Sequence, residues 1–252
     1  MNYYDQIFKR KSFHLFRNVE RPISNEELSE LQEFIKELKP LDASINYKIK
    51  LVREDETTCK RGGEYCIEFY SEEKPNCLRN IGYLGDQLDL WLTSKDIGTL
   101  WFGIGKPDEK QYERLNYVIM IAIAKMPSTS FRKDMYKAKR KSLEEIWQGN
   151  KFPSSNVVRF APSACNSQPW IVENSDDELF IYRYKKPGKR GIMPVDKVCF
   201  YNRIDIGIFL LFLEICLKHD GYNFISEQFC EDIDNEAEKV LVSKYKIQKE
   251  KA

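Results

Sequence analysis

Histidine is scarce in this chain of 252 residues, which has only His14 and His219. The sequence offers no Ser/His/Asp or Cys/His arrangement that would predict a side-chain nucleophile with its general base. Seven cysteines are scattered without C-x-x-C or metal-ligand spacing. This pattern favours reduced thiols over a disulfide framework, and it predicts no metal site.

A charge excess of one sign is also absent, because 40 basic and 39 acidic residues leave a net charge of +1. We therefore expect no nucleic-acid partner and no anionic membrane partner. The longest apolar run, around 204 to 217, is too short to span a membrane and contains two acids. The N-terminus has no apolar signal core, so we expect a cytoplasmic protein. Neither G-x-G-x-x-G nor G-K-[ST] occurs, which argues against a nucleotide-binding domain of its own.

The most informative stretch runs from Val157 to Trp170 and reads V-V-R-F-A-P-S-A-C-N-S-Q-P-W. Proline disfavours helical geometry in the residue before it, so we expect a helix to end at Ala161 and a strand to follow Pro169. Hydroxyl and amide side chains fill the loop between them. One interpretation is an ordinary helix-to-strand connector; the other is a loop that binds a polar small molecule.

Hydrophobic periodicity predicts most of the remaining elements. Ser24 and Glu27 form the pattern of a capping box at the start of a helix. In the first half we expect helices over 2–17, 25–38 and 80–92 and strands over 47–52, 65–70 and 118–124. In the second half we expect a helix ending at Phe160, a strand over 171–184, an apolar helix over 203–217, and a terminal helix or frayed end beyond Glu231.

A basic tripeptide occurs twice, as Arg10-Lys11-Ser12 and again as Arg140-Lys141-Ser142. Each copy is either a solvated basic patch or a phosphate site, in which arginine supplies a fork, lysine a point charge and serine a donor. A helix, a small-residue loop, a strand and a further helix follow each copy. We therefore infer an internal duplication with halves 1–130 and 131–252, and an α+β fold.

The A-P-S-A-x-N-x-Q-P-W pattern resembles the signature of the nitroreductase-like FMN flavoproteins. Their N-terminal Arg-(basic)-Ser segment and their G-(T/S)-x-W-x-G segment resemble Arg10-Lys11-Ser12 and the segment Gly98 to Gly103. The resemblance implies a nitroreductase-like pseudo-dimer within one chain, with a homodimer as the alternative. It implies that FMN binds to Arg10, Lys11, Ser12, His14, Gly98, Thr99, Leu100, Trp101, Pro162, Ser163, Ala164 and Asn166.

The resemblance also implies an oxidoreductase that passes electrons from transiently bound NAD(P)H through FMN to nitroaromatic, quinone or similar acceptors. No catalytic side chain is required, since the flavin carries the chemistry. The alternatives are a non-catalytic flavin-binding or regulatory protein and a flavin- or nitrogen-ring-modifying relative. Gly207 to Phe212 stands where the second copy of the Gly98 segment is expected, and it has helical character. The roles of Asp205 and of Lys185 to Arg190 stay open.

Overall fold

The computed structural model describes residues 2–184, 191–230 and 238–250. The chain divides into two units, residues 1–135 and 136–252, and each contains helices and a five-stranded sheet. The predicted α+β class is therefore confirmed. Within the described ranges, no helix is long and apolar enough to cross a membrane. The basic segment Lys185 to Arg190 lies outside them.

The first unit has an antiparallel sheet in the order β1-β2-β5-β3, with β4 paired to β5. The predicted capping box is present, because Ser24 Oγ accepts from the Glu27 amide and Glu27 accepts from the Ser24 amide. The elements are α1 (Tyr3–Lys9), α2 (Asn25–Glu37), β1 (Tyr47–Arg53), β2 (Tyr65–Ser71), α3 (Cys77–Ser94), β3 (Ile97–Phe102), β4 (Gln111–Tyr112) and β5 (Leu115–Lys125).

Helix α3 lies in the core of the first unit. Residues 79–93 are all buried, so the helix is enclosed on every side rather than along one stripe. Strand β5 is buried from Val118 to Ala124, as its continuous apolar run predicts. The buried surface of α3 includes three charged side chains, Arg79, Asp86 and Asp89. Buried charges require partners or neutralisation, so these three side chains of α3 are candidates for a functional site.

The second unit has a sheet in the order β6-β7-β8-β10-β9, in which β6 is parallel to β7 and the other pairs are antiparallel. Helix α6 is the long buried helix of this unit. The elements are α4 (Leu143–Ile146), β6 (Trp147–Gly149), α5 (Ser155–Val158), β7 (Trp170–Ser175), β8 (Glu178–Tyr184), α6 (Val198–His219), β9 (Tyr222–Gln228) and β10 (Lys239–Lys249).

The two sheets share one topology. In the first unit, two strands, a long helix and two strands give the order β1-β2-β5-β3, and the same succession gives β7-β8-β10-β9 in the second. A duplicated unit predicts this correspondence. The shared topology makes β9 the counterpart of β3. The prediction that Gly207 to Phe212 stands at the position of a second Gly98 segment was therefore wrong, because those residues lie inside α6.

Four predicted elements were wrong in extent or type. The N-terminal helix ends at Lys9, and the helix near Phe160 ends at Val158. The strand predicted over 171–184 is the hairpin β7-β8, which turns at Asp176 with a φ of 54°. The tail contains strand β10 within the sheet instead of a helix or frayed end. Its buried Tyr245 and Ile247 alternate with polar residues, a period-two pattern that predicts a strand.

Candidate functional site

The first basic tripeptide lies beside the predicted glycine-containing strand. Helix α1 ends at Lys9, and Arg10 turns into extended backbone with a ψ of 139°. Ser12 then pairs in parallel with Thr99 of β3, and the Phe13 amide donates to the Thr99 carbonyl oxygen at 2.9 Å. Ser12 and Thr99 are far apart in sequence, yet their two segments are neighbours within the first unit.

One buried carboxylate joins these two segments. Asp89 of α3 accepts from Arg10 Nε at 2.7 Å, from Thr99 Oγ1 at 2.6 Å and from Trp101 Nε1 at 3.1 Å. Arg10 is only 2% exposed, so the predicted phosphate ligand is part of a buried ion pair. Sequence reasoning missed Asp89. The available signal was Asp86 and Asp89, two acids in an apolar helix just before the Gly98 segment.

The other predicted residues of the first unit differ in exposure. Lys11 is exposed, and its Nζ donates to the Ser130 carbonyl oxygen at 2.8 Å. His14 is exposed. The Leu100 side chain is part of the apolar core, so only its backbone is available to a ligand. Gly98 is closely approached by the side chains of Phe13 and Met126.

A second guanidinium lies near Arg10. The Arg132 amide donates to the Lys9 carbonyl oxygen at 3.1 Å, which anchors Arg132 beside the N-terminal segment. Burial and repulsion from Arg10 lower the pKa of Arg132. Arg10 Nη2 lies 3.2 Å from Ser12 Oγ, and Arg132 is close enough to Arg10 for their charges to repel. Two guanidiniums and a hydroxyl suit a phosphate monoester, whose charge would offset this repulsion. By this test, the chemistry of the site fits the phosphate of FMN.

The predicted loop of the second unit has a strained backbone. Three non-glycine residues have left-handed φ values: 51° at Cys165, 55° at Asn166 and 48° at Gln168. Such conformations cost about 1–3 kcal/mol each, and they cluster at ligand clamps and active sites. Three of the four residues from Cys165 to Gln168 have this unfavourable backbone, so contacts with the surrounding residues must hold the loop in its shape.

Hydrogen bonds from α6 and from within the loop hold this shape. The Ala164 amide donates to Asp205 Oδ1 at 2.9 Å, and the Gln168 amide donates to Ser163 Oγ at 3.0 Å. Pro162 is buried, whereas Ser163 and Ala164 are half-buried. Asp205, whose role the sequence leaves open, therefore supports the loop.

The second basic tripeptide also contacts this loop. Arg140 Nη1 donates to Asn166 Oδ1 at 2.8 Å, and Asn166 Nδ2 donates to the Lys139 carbonyl oxygen at 3.1 Å. The Lys141 amide donates to Gln168 Oε1 at 2.8 Å. Arg140 is thus engaged with the amide side chain of the loop, a role that its likeness to Arg10 does not predict.

The two long helices support their neighbouring loops in the same way. Asn80-Ile81-Gly82 in α3 and Asp205-Ile206-Gly207 in α6 are matching tripeptides. Asn80 Oδ1 accepts from the Asp42 amide at 3.1 Å, as Asp205 Oδ1 accepts from the Ala164 amide. The two units therefore share a helix-to-loop hydrogen bond as well as the topology of their sheets.

Comparison with known proteins identifies the family of this chain. Residues 2–216 match the profile of a family described as "Putative TM nitroreductase". The chain belongs to this nitroreductase family. No curated protein is similar enough to count as a match. Among solved structures, a nitroreductase of the same description from Thermotoga maritima is 18% identical, with a TM-score of 0.63 over 98% of this chain and 93% of that chain.

A nitroreductase family protein from Clostridium difficile is 11% identical, with a TM-score of 0.45 over 58% of this chain and 97% of that one. The Thermotoga structure supports a nitroreductase-like fold for the chain. Membership of the nitroreductase family supports a general oxidoreductase role, and this family generally uses flavin.

Proposed function

We propose that this protein is an FMN-dependent oxidoreductase that uses NAD(P)H to reduce nitroaromatic, quinone or similar small acceptors. The observation that carries the proposal is the cluster around Asp89. It brings Arg10, Thr99 and Trp101, from two flavin-site segments of the family, within hydrogen-bond distance of one carboxylate. Membership of the nitroreductase family supports the same reaction class.

In this proposal the side chains bind and orient the cofactor and do not react. Arg10, Ser12 and Arg132 would hold the phosphate, with the exposed side chains of Lys11 and His14 nearby. Gly98 to Trp101 would orient the ring, and the loop from Pro162 to Asn166 is a second segment that the resemblance assigns to flavin binding. The redox chemistry between nicotinamide and acceptor would be supplied by the bound flavin. We expect no nucleic-acid or membrane partner and a monomeric pseudo-dimer in the cytoplasm.

The decisive experiment is a visible spectrum of the purified protein, with the released cofactor identified and counted per chain. We expect one FMN per chain, bleaching by NADH or NADPH under anaerobic conditions, and recovery of the oxidised spectrum when menadione or a nitroarene is added. Bound FMN that neither nucleotide reduces would instead support the non-catalytic flavin-binding alternative. A protein that contains no flavin and takes up none would contradict the proposal.

A further inference from the structure

Asp89 is fully buried, and each of its two carboxylate oxygens accepts hydrogen bonds from different donors. Oδ1 accepts from Thr99 Oγ1, while Oδ2 accepts from both Arg10 Nε and Trp101 Nε1. Thr99 and Trp101 are two positions apart, so their side chains share one face of β3. A single carboxylate therefore orients an arginine of the N-terminal segment and two side chains of the strand.

The Arg10 contact fixes more than the position of a charge. Guanidinium is planar, and an acceptor at Nε sets the direction in which the two Nη atoms point. Arg10 Nη2 lies 3.2 Å from Ser12 Oγ, so the end of the guanidinium is directed toward the hydroxyl of the same tripeptide. Without Asp89, the arginine would lose both its buried counter-ion and this orientation.

We propose that Asp89 is a positioning residue of the flavin site, which orients Arg10 toward the cofactor phosphate and anchors Thr99 and Trp101 of the strand that would lie along the flavin ring. The inference rests on the proposed function. It predicts that Asp89 contributes more to the binding of FMN than to that of riboflavin, which lacks the phosphate. A residue that only stabilised the fold would affect the two flavins equally.

Asp86 provides a matched control on the same helix. It is as deeply buried as Asp89, but neither of its carboxyl oxygens has a hydrogen-bond partner among the described residues. Burial and the nearby charge of Asp89 raise the pKa of Asp86 well above its usual value. Asparagine closely resembles a protonated aspartate in shape and charge, so Asp86→Asn changes this position little.

The test measures the dissociation constants of FMN and riboflavin for the apoprotein by flavin fluorescence. In Asp89→Asn we expect FMN affinity to fall by about tenfold or more, as for a lost hydrogen bond to a charged group, and riboflavin affinity to fall less. Asp86→Asn should keep both constants within about twofold, because it leaves Asp89 and its three donors in place. Melting curves establish that each variant is folded.

Unchanged FMN preference in folded Asp89→Asn overturns the inference while leaving the proposed function intact. A wild-type apoprotein that binds neither flavin overturns both. If Asp89→Asn does not fold, Arg10→Gln/Asp89→Asn removes both buried charges together, which is less disruptive than removing one. We expect this double variant to lose the FMN preference, and its retention overturns the inference.

Discussion

Asp205 shows how a single buried acid can shape a loop. It accepts from the Ala164 amide, and its second oxygen lies 3.3 Å from Ser167 Oγ, which is also 3.0 Å from Asn202 Oδ1. A hydroxyl has one hydrogen and can satisfy only one of these two acceptors. The shorter contact is the one to Asn202, so Asp205 has only a weak second donor. Burial raises the pKa of Asp205 to about 8, and the hydrogen bonds from the Ala164 amide and the Ser167 hydroxyl only partly offset this shift.

We predict that Asp205→Asn alters how stability depends on pH. An unfolded aspartate has a pKa of about 3.9, so between about pH 4 and pH 8 the folded wild type holds one more proton than the unfolded chain. Wild-type stability should therefore fall as pH rises through this window, by at most about 1.4 kcal/mol per pH unit from this group. Asparagine has no such proton, so the free energy of unfolding of wild type minus variant should decrease with pH.

Urea denaturation at pH 5, 6.5 and 8 measures this difference. The exposed Asp177→Asn is the matched control and should track the wild type at all three values. A wild-type advantage over Asp205→Asn that stays constant with pH would falsify the assignment of the titration to Asp205.

Among the helices and strands, the sequence predicted the elements that are stabilised by interactions between residues close together in the chain. The Ser24 capping box and the alternating sequence of strand β1 are encoded within a few residues. The N-terminal helix was predicted too long because pairing between Ser12 and Thr99, which is distant in sequence, fixes the chain beyond Lys9 as extended. The strained loop was found from its residue types, but its left-handed backbone depends on contacts from α6 and Arg140 that no local pattern contains.

Gly98 gives a test of how tightly β3 is packed. A Cβ at this position would lie 2.7 Å from Met126 Cγ and 2.8 Å from Phe13 Cδ2, so no methyl group fits without movement. We predict that Gly98→Ala lowers the free energy of unfolding by about 1–3 kcal/mol, as measured by chemical denaturation. The cost should shrink in a Met126→Ala background, where one obstructing side chain is removed. Equal cost in both backgrounds would contradict this packing account.

Across the whole molecule, the two units share a topology but not a set of ligand motifs. Strand β3 carries Gly98 to Trp101, whereas its counterpart β9 reads Tyr222 to Gln228 without glycine or tryptophan. The second unit has the strained loop followed by Pro169-Trp170, and the segment before β1 has no such sequence. Sequence motifs predicted a set of candidate flavin ligands in each unit, and both sets stay predictions. The motifs did not predict Asp89 or Arg132, because buried partners are defined by tertiary contacts.

Because each unit carries only one of the two motif sets, we predict that each chain binds one flavin and that flavin binding requires both motif sets. Asn166→Gly deletes the loop amide while tolerating the left-handed backbone, and Arg10→Gln removes the cation in the first unit. We expect each variant alone to lower the FMN content from one per chain toward zero, counted from released flavin in folded protein. Asn223→Ala, an exposed change on β9, should retain full content. If each unit instead held its own flavin, the wild type would contain two per chain and each variant would keep one, which would disprove the single-flavin prediction.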